Sequence, residues 1–221
     1  DIRDATCFLL RYFLEKKYVN RHDIDTFKYT NGLPSYSYQF YDFYVGNMHY
    51  SAYQYIFRNY NELSRDNFSL HRKLVFEGKN QNPLFQMIEK DDIENLQKTM
   101  AFNPLIDVNT IIEGCYYESR QVFQSNCSLI EIAAYFGSIK TFKHLLLNNA
   151  TMDKQKLPLM AVYGGNAEII RILKQRGFSF TDKYEDRNNL FIEIAIRMNH
   201  FDILRWLVEE EKDSLSYCNF S

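Results

Sequence analysis

At 221 residues the chain is long enough for one large core or for a repeat stack with an attached cap. Its net charge of −2, with both signs mixed throughout, leaves no broad field to attract nucleic acid or an anionic membrane. Tyrosine (17) and phenylalanine (18) are abundant whereas glycine (8) and proline (4) are scarce, a composition of packed helices rather than of disorder.

The four cysteines, Cys7, Cys115, Cys127 and Cys218, lie far apart without CxxC spacing, which fits reduced thiols in a cytoplasmic protein. No apolar run approaches the roughly 20 residues that a membrane span requires, so no membrane partner is expected.

From the N-terminus, Ile2–Val19 has helical periodicity, with Leu9, Leu10, Phe13 and Leu14 on one side and Arg11, Glu15 and Lys16 on the other. Residues 20–34 are polar and end in a turn signal, Asn31-Gly32-Leu33-Pro34. Residues 35–60 hold eight tyrosines but one cation, Arg58, so RNA phosphates stacked there would lack partners. Two readings fit this segment: a packed helical cap with phenols at its rim, or a tyrosine-rich contact surface. Asp66–Glu77 forms a further short helix with Phe68, Leu74 and Val75 as its apolar side, and residues 78–83 form a linker.

Beyond the linker the chain repeats. In Ser128–Ala150, Ser128 and Glu131 make a capping box, Ile130, Ala133 and Ala134 a narrow face, and Gly137 a stop. A second helix then carries Ile139, Phe142, Leu145 and Leu146 and ends at Asn148-Asn149. The pattern recurs at 156–177 through Leu157, Ala161, Gly164-Gly165 and Ile169–Leu173, and again at 190–211 through Leu190, Ala195, Asn199 and Phe201–Val208. A weaker copy spans 83–101, where Asn82-Pro83 opens a helix whose inner face is Leu84 and Met87, and Asp91-Asp92 form the turn. Ala133, Ala161 and Ala195 mark a period of about 33 residues built from paired helices. Such a pair cannot bury both faces alone and needs copies beside it.

Over about residues 82–211 these runs, above all Ser-Leu-Ile-Glu-Ile-Ala-Ala-Tyr-Phe-Gly from Ser128 and Tyr-Gly-Gly-Asn-Ala-Glu-Ile-Ile from Tyr163, resemble ankyrin repeats. More narrowly, they resemble the divergent ankyrin-like proteins expanded in trichomonad protists. The usual Thr-Pro-Leu-His opening is replaced by Ser128 and Glu131, and Glu193 stands at its histidine in the last copy. The expected architecture is an all-α, ankyrin-like helical-repeat solenoid at residues 81–221, of about four helix pairs, with a helical, aromatic-rich N-terminal cap at 1–80. The insertion at residues 102–126 interrupts the array.

No catalytic template has its spacing. Tyr163-Gly164-Gly165 lacks the context of a phosphate loop, and the repeat turn accounts for both glycines. The five histidines are single, without HExxH or a Cys partner at metal spacing, so neither a metal nor another cofactor is expected. Cys127 and His144 share one repeat, but a small core thiol and a surface helix residue explain them more simply than a nucleophile and its base.

If each first helix packs through its alanines, the two residues before each turn face the concave surface of the stack. These are Glu89-Lys90, Tyr135-Phe136, Tyr163-Gly164 and Arg197-Met198. Tyrosine, phenylalanine, arginine and methionine are the types enriched at interface centres. Packing of Phe136 and Met198 into neighbouring repeats is the competing expectation. In the insertion, Tyr116, Tyr117 and Arg120 are candidates for contact, with helix capping as the alternative for the tyrosines. The resemblance implies a non-enzymatic protein-binding scaffold in the cytoplasm, without direct nucleic-acid contact. The alternative is a structural subunit of a cytoskeletal or ribonucleoprotein assembly, docked through residues 35–60.

Overall fold

The computed structural model describes residues 12–13, 16–19, 62, 65–180 and 190–218. Most of the helix expected at Ile2–Val19, the connection at 20–34 and the tyrosine-rich segment 35–60 lie outside these residues. The chain divides into two compact units, Asp1–Asn80 with Glu113–Ser125, and Gln81–Ile112 with Asn126–Ser221. The second half of the insertion thus groups with the N-terminal unit rather than with the repeats that flank it in sequence.

In the first unit, helix α1 (Arg65–Glu77) packs Phe68, Leu70, Leu74 and Val75 against Cys115, Tyr116 and Tyr117 of the insertion. The insertion is held by Glu118, a carboxylate with no exposed surface. It accepts from the Asn80 backbone N–H at 2.9 Å and from the Arg120 backbone N–H at 3.0 Å, and Arg120 Nε and Nη2 donate to it at 2.6 and 3.0 Å. A buried carboxylate is tolerable only when paired and hydrogen-bonded in this way. A short 3-10 turn (Gln121–Gln124) follows and buries Phe123.

The second unit is a helical repeat. Its described helices are α2 (Pro83–Glu89), α3 (Ile93–Phe102), α4 (Leu129–Phe136), α5 (Ile139–Leu147), α6 (Lys156–Gly164), α7 (Ala167–Gln175), α8 (Leu190–Arg197) and α9 (Phe201–Cys218). One row is α2, α4, α6 and α8 in order, and α3, α5 and α7 stack behind the first three. A two-residue antiparallel ladder, β1 (Ile111–Ile112) with β2 (Cys127–Ser128), leads into α4. In the loop before β1, Asn109 Oδ1 accepts from the Thr151 N–H at 2.7 Å, joining two successive copies.

Local chemistry explains the pairs. Asn82 Oδ1 accepts from the Leu84 and Phe85 N–H groups and caps α2, with Pro83 at a position that needs no N–H. The Ser128 N–H donates to Glu131 Oε2 at 3.0 Å, as the capping box requires. Asp91, Gly137, Gly165 and Asn199, at φ 52°, 66°, 63° and 59°, make the same left-handed turn in all four pairs. Gly164 has a different task. A Cβ there would stand 2.2 Å from the Ala134 carbonyl oxygen, so glycine permits α6 to lie directly on the small-residue face of α4.

The core runs through the middle of each pair: Ile132, Ala133, Phe142 and Leu145, then Leu157, Ala161, Ile169 and Leu173, all without exposed surface. In the first copy the sequence assigns Leu84 and Met87 to the inner face. The structure buries Leu84, Phe85 and Ile88 and leaves Met87 half-buried, because the helix is rotated to bring Phe85 against the next pair.

Candidate functional site

The turns connect the pairs by a repeated device. The residue after each left-handed position stands at the start of the second helix of its own pair, and in the second, third and fourth pairs its side chain reaches back to the preceding pair. Ser138 Oγ donates to the Ile88 carbonyl at 2.6 Å, Asn166 Nδ2 donates to the Gly137 carbonyl at 3.0 Å, and His200 Nε2 lies 2.9 Å from the Tyr163 carbonyl. In the forward direction, Asp91 accepts from the Thr141 and Lys140 N–H groups at 2.9 and 3.2 Å and so caps α5 of the next pair. The carbonyls that end one helix are satisfied by the next repeat, which fixes where the residues just before each turn are held.

On that frame sits a run of aromatic rings. Phe85 meets Phe136 edge-on at 5.5 Å, Phe136 meets Tyr135 edge-on at 5.3 Å, and Tyr135 lies tilted against Tyr163 at 5.4 Å. The run crosses α2, α4 and α6. Phe85 is buried, whereas Tyr135, Phe136 and Tyr163 are half-buried. Edge-to-face pairs add about 0.5–1.5 kcal/mol beyond the area they bury, so the rings hold one another in place. Arg197 and Met198 end α8, the next helix in the row: Arg197 is exposed and ion-paired with Glu193, and Met198 is half-buried. Of the residues singled out in sequence, the structure therefore joins Tyr135, Phe136 and Tyr163 directly. Phe85 belongs to the run but was not among them; its spacing three residues before Ile88 was the available signal.

Tyr116 and Tyr117 lie in the first unit. Tyr117 is buried at 4% exposure, and its hydroxyl is 2.9 Å from Nδ1 of the buried His71. Tyr116 packs half-buried in the same cluster. Both are placed as packing residues there.

Cys127 and His144 have separate surroundings. Lys156 Nζ donates to Cys127 Sγ at 3.4 Å, to the Asn126 carbonyl at 2.8 Å and to Glu131 Oε2 at 2.9 Å, tying α6 to the start of the preceding pair. Burial pushes the Cys127 thiol up, against the opposing pull of the Lys156 ammonium, so it stays a neutral, unreactive side chain near neutral pH. His144 Nδ1 lies 3.0 Å from Gln97 Nε2 on the exposed side of α5. Among the described residues no group of three or more His, Cys, Asp or Glu side chains could hold a metal, and no helix is long and apolar enough to cross a membrane.

Residues 130–216 match the family model described as ankyrin repeats, in three copies. No curated protein and no solved structure matches the chain significantly. Ankyrin repeats are generally protein–protein interaction modules and typically non-enzymatic, and the match indicates no catalytic family.

Proposed function

We propose that this ankyrin-repeat chain is a non-enzymatic scaffold that binds a protein partner on the face formed by the ends of α4, α6 and α8, the concave side of the stack. The observation that carries this reading is the half-buried run Phe136–Tyr135–Tyr163 on successive helices, ending toward Arg197 and Met198. Tyrosine rings fixed by neighbours offer large contact area at little entropic cost, and Tyr, Arg and Met are enriched at interface centres. The mixed charge favours a protein ligand over nucleic acid, and no cofactor is needed. A cytoplasmic setting agrees with four cysteines that lie far apart in sequence without CxxC spacing. The narrower likeness to trichomonad proteins rests on the rhythm of residues 82–211 alone.

The test is Tyr135→Ala with Tyr163→Ala in the whole chain, used as bait in native extract. Both rings are half-buried at helix ends, so helix content by circular dichroism should hold. Capture of the wild-type partner should fall at least about tenfold, as for loss of two central anchors. Undiminished capture would refute this face as the binding site.

A further inference from the structure

The charges of the two middle pairs are sorted between their helices. On the first helices they are Glu131 of α4 and Lys156 of α6, which pair with each other at 2.9 Å. On the second helices, α5 and α7 with the residue that ends α7, Lys140, Lys143, Arg171, Lys174 and Arg176 are all exposed and stand against one acid, Glu168. Four of these cations form a row. Lys140 and Lys143 lie one turn apart on α5, and Lys143 Nζ reaches across to α7, donating to Glu168 Oε1 at 2.6 Å. Arg171 and Lys174 follow Glu168 at intervals of three residues, the spacing of neighbours on a helix surface. Lys174 Nζ ends the row 5.3 Å from the ring centre of Trp206 on α9. The Asp91 carboxylate, near the start of the row, is held by the Lys140 and Thr141 N–H groups. Glu168 is shared: the Lys143 hydrogen bond, and then the charges of Lys143 and Arg171, hold its carboxyl below the ordinary value. In a chain of net charge −2, α5 and α7 thus carry a local surplus of positive charge.

We propose that this row binds an acidic segment, rich in Asp and Glu, of a second protein partner. The row already seats one carboxylate, that of Glu168, against Lys143. A partner's carboxylates beside Lys140, Arg171 and Lys174 would extend the same arrangement, and the Arg171 guanidinium can meet a carboxylate with two parallel N–H donors. Such complementarity of potential steers encounter and sets specificity. Nucleic acid calls for a different surface, with many cations for the phosphates and open rings for the bases. Here four cations surround an acid, and the ring at the end of the row, Trp206, is half-buried with Lys174 over it. The row lies on the second-helix side of the stack, so this contact is separate from the aromatic run and does not depend on it.

The test is binding of a fluorescein-labelled oligoglutamate peptide to the 221-residue chain, read by anisotropy. Fluorescence of Trp206, the single tryptophan of the sequence, gives a second reading at the row itself. Saturable binding that weakens with added salt is expected. Arg171→Glu with Lys174→Glu should weaken it at least about tenfold, since two attractions become repulsions, with helix content unchanged because both side chains are exposed. Glu168→Gln, which removes the competing acid, should tighten it. Arg65→Glu with Lys73→Glu, the same change of charge on α1 in the first unit, should leave it nearly unaltered. The proposal falls if oligoglutamate does not bind, or if the exchanges on α1 weaken binding as much as those on α7. It falls equally if oligouridylate, or vesicles of phosphatidylserine and phosphatidylcholine, bind more tightly than the peptide, which would assign the row to phosphate.

Discussion

The Ser138 hydroxyl donates to the Ile88 carbonyl at 2.6 Å, joining two residues fifty positions apart in the interior of the stack. Ile88 lies in the last turn of the first helix of one pair, and Ser138 stands at the start of the second helix of the next. Asn166 with Gly137 and His200 with Tyr163 repeat this relationship at each later turn. The row of residues before the turns is therefore set by a hydrogen-bond ladder as well as by apolar packing.

Ser138→Ala should destabilise the protein by about 0.5–1.5 kcal/mol, the usual net worth of one hydrogen bond, because the Ile88 carbonyl still accepts from the Asp91 N–H at 3.0 Å. Urea unfolding with an unchanged m-value would show it. Ser138→Thr, which keeps the hydroxyl, should lose less.

Gly164→Ala tests the close approach of α4 and α6. The added methyl would meet the Ala134 carbonyl at 2.2 Å, and backbone must move to make room. Overpacking of this kind costs about 1–3 kcal/mol, read as a lowered midpoint in thermal melts. If stability is unchanged or raised, the two helices are further apart than described.

Helix α6 carries a pH dependence. Asp153 accepts from the Lys156 and Gln155 N–H groups at 2.8 and 2.7 Å, and these bonds hold its carboxyl below the ordinary 3.8. Because the folded value is depressed, the stabilisation is present above pH 3.8 and is lost as pH falls through the lower folded value. In Asp153→Asn the acid-unfolding curve should flatten in that window, whereas stability near neutral pH should change little, as the amide oxygen still caps the helix. A curve as steep as that of the wild type would exclude this role.

Much of the repeat was legible because its signals are local. Ser128 and Glu131 announce a capping box, Gly137 and Asn199 mark left-handed turns, and the alanines mark a face that neighbours approach closely. The ladder was not legible, because Ser138, Asn166 and His200 differ in chemistry and their partners lie 50, 29 and 37 residues away. Only alignment on the turn residue shows that they occupy one position. For the same reason Tyr117 could be read as a contact residue: its burial depends on His71, 46 residues earlier. The ring contacts of Tyr135, Phe136 and Tyr163 follow from the stacking of α4 on α6, whereas the residue types of the candidate site were visible from composition before each turn.

The most direct test of the central claim is site-specific photo-crosslinking with the captured partner. Benzoylphenylalanine would be placed singly at Tyr135, Tyr163 and, on the exposed side of α7, Arg171. Crosslinks from positions 135 and 163 but not from 171 are expected if the partner lies on the aromatic run. Crosslinking from 171 alone would contradict that account and move the binding surface to the second-helix side of the stack.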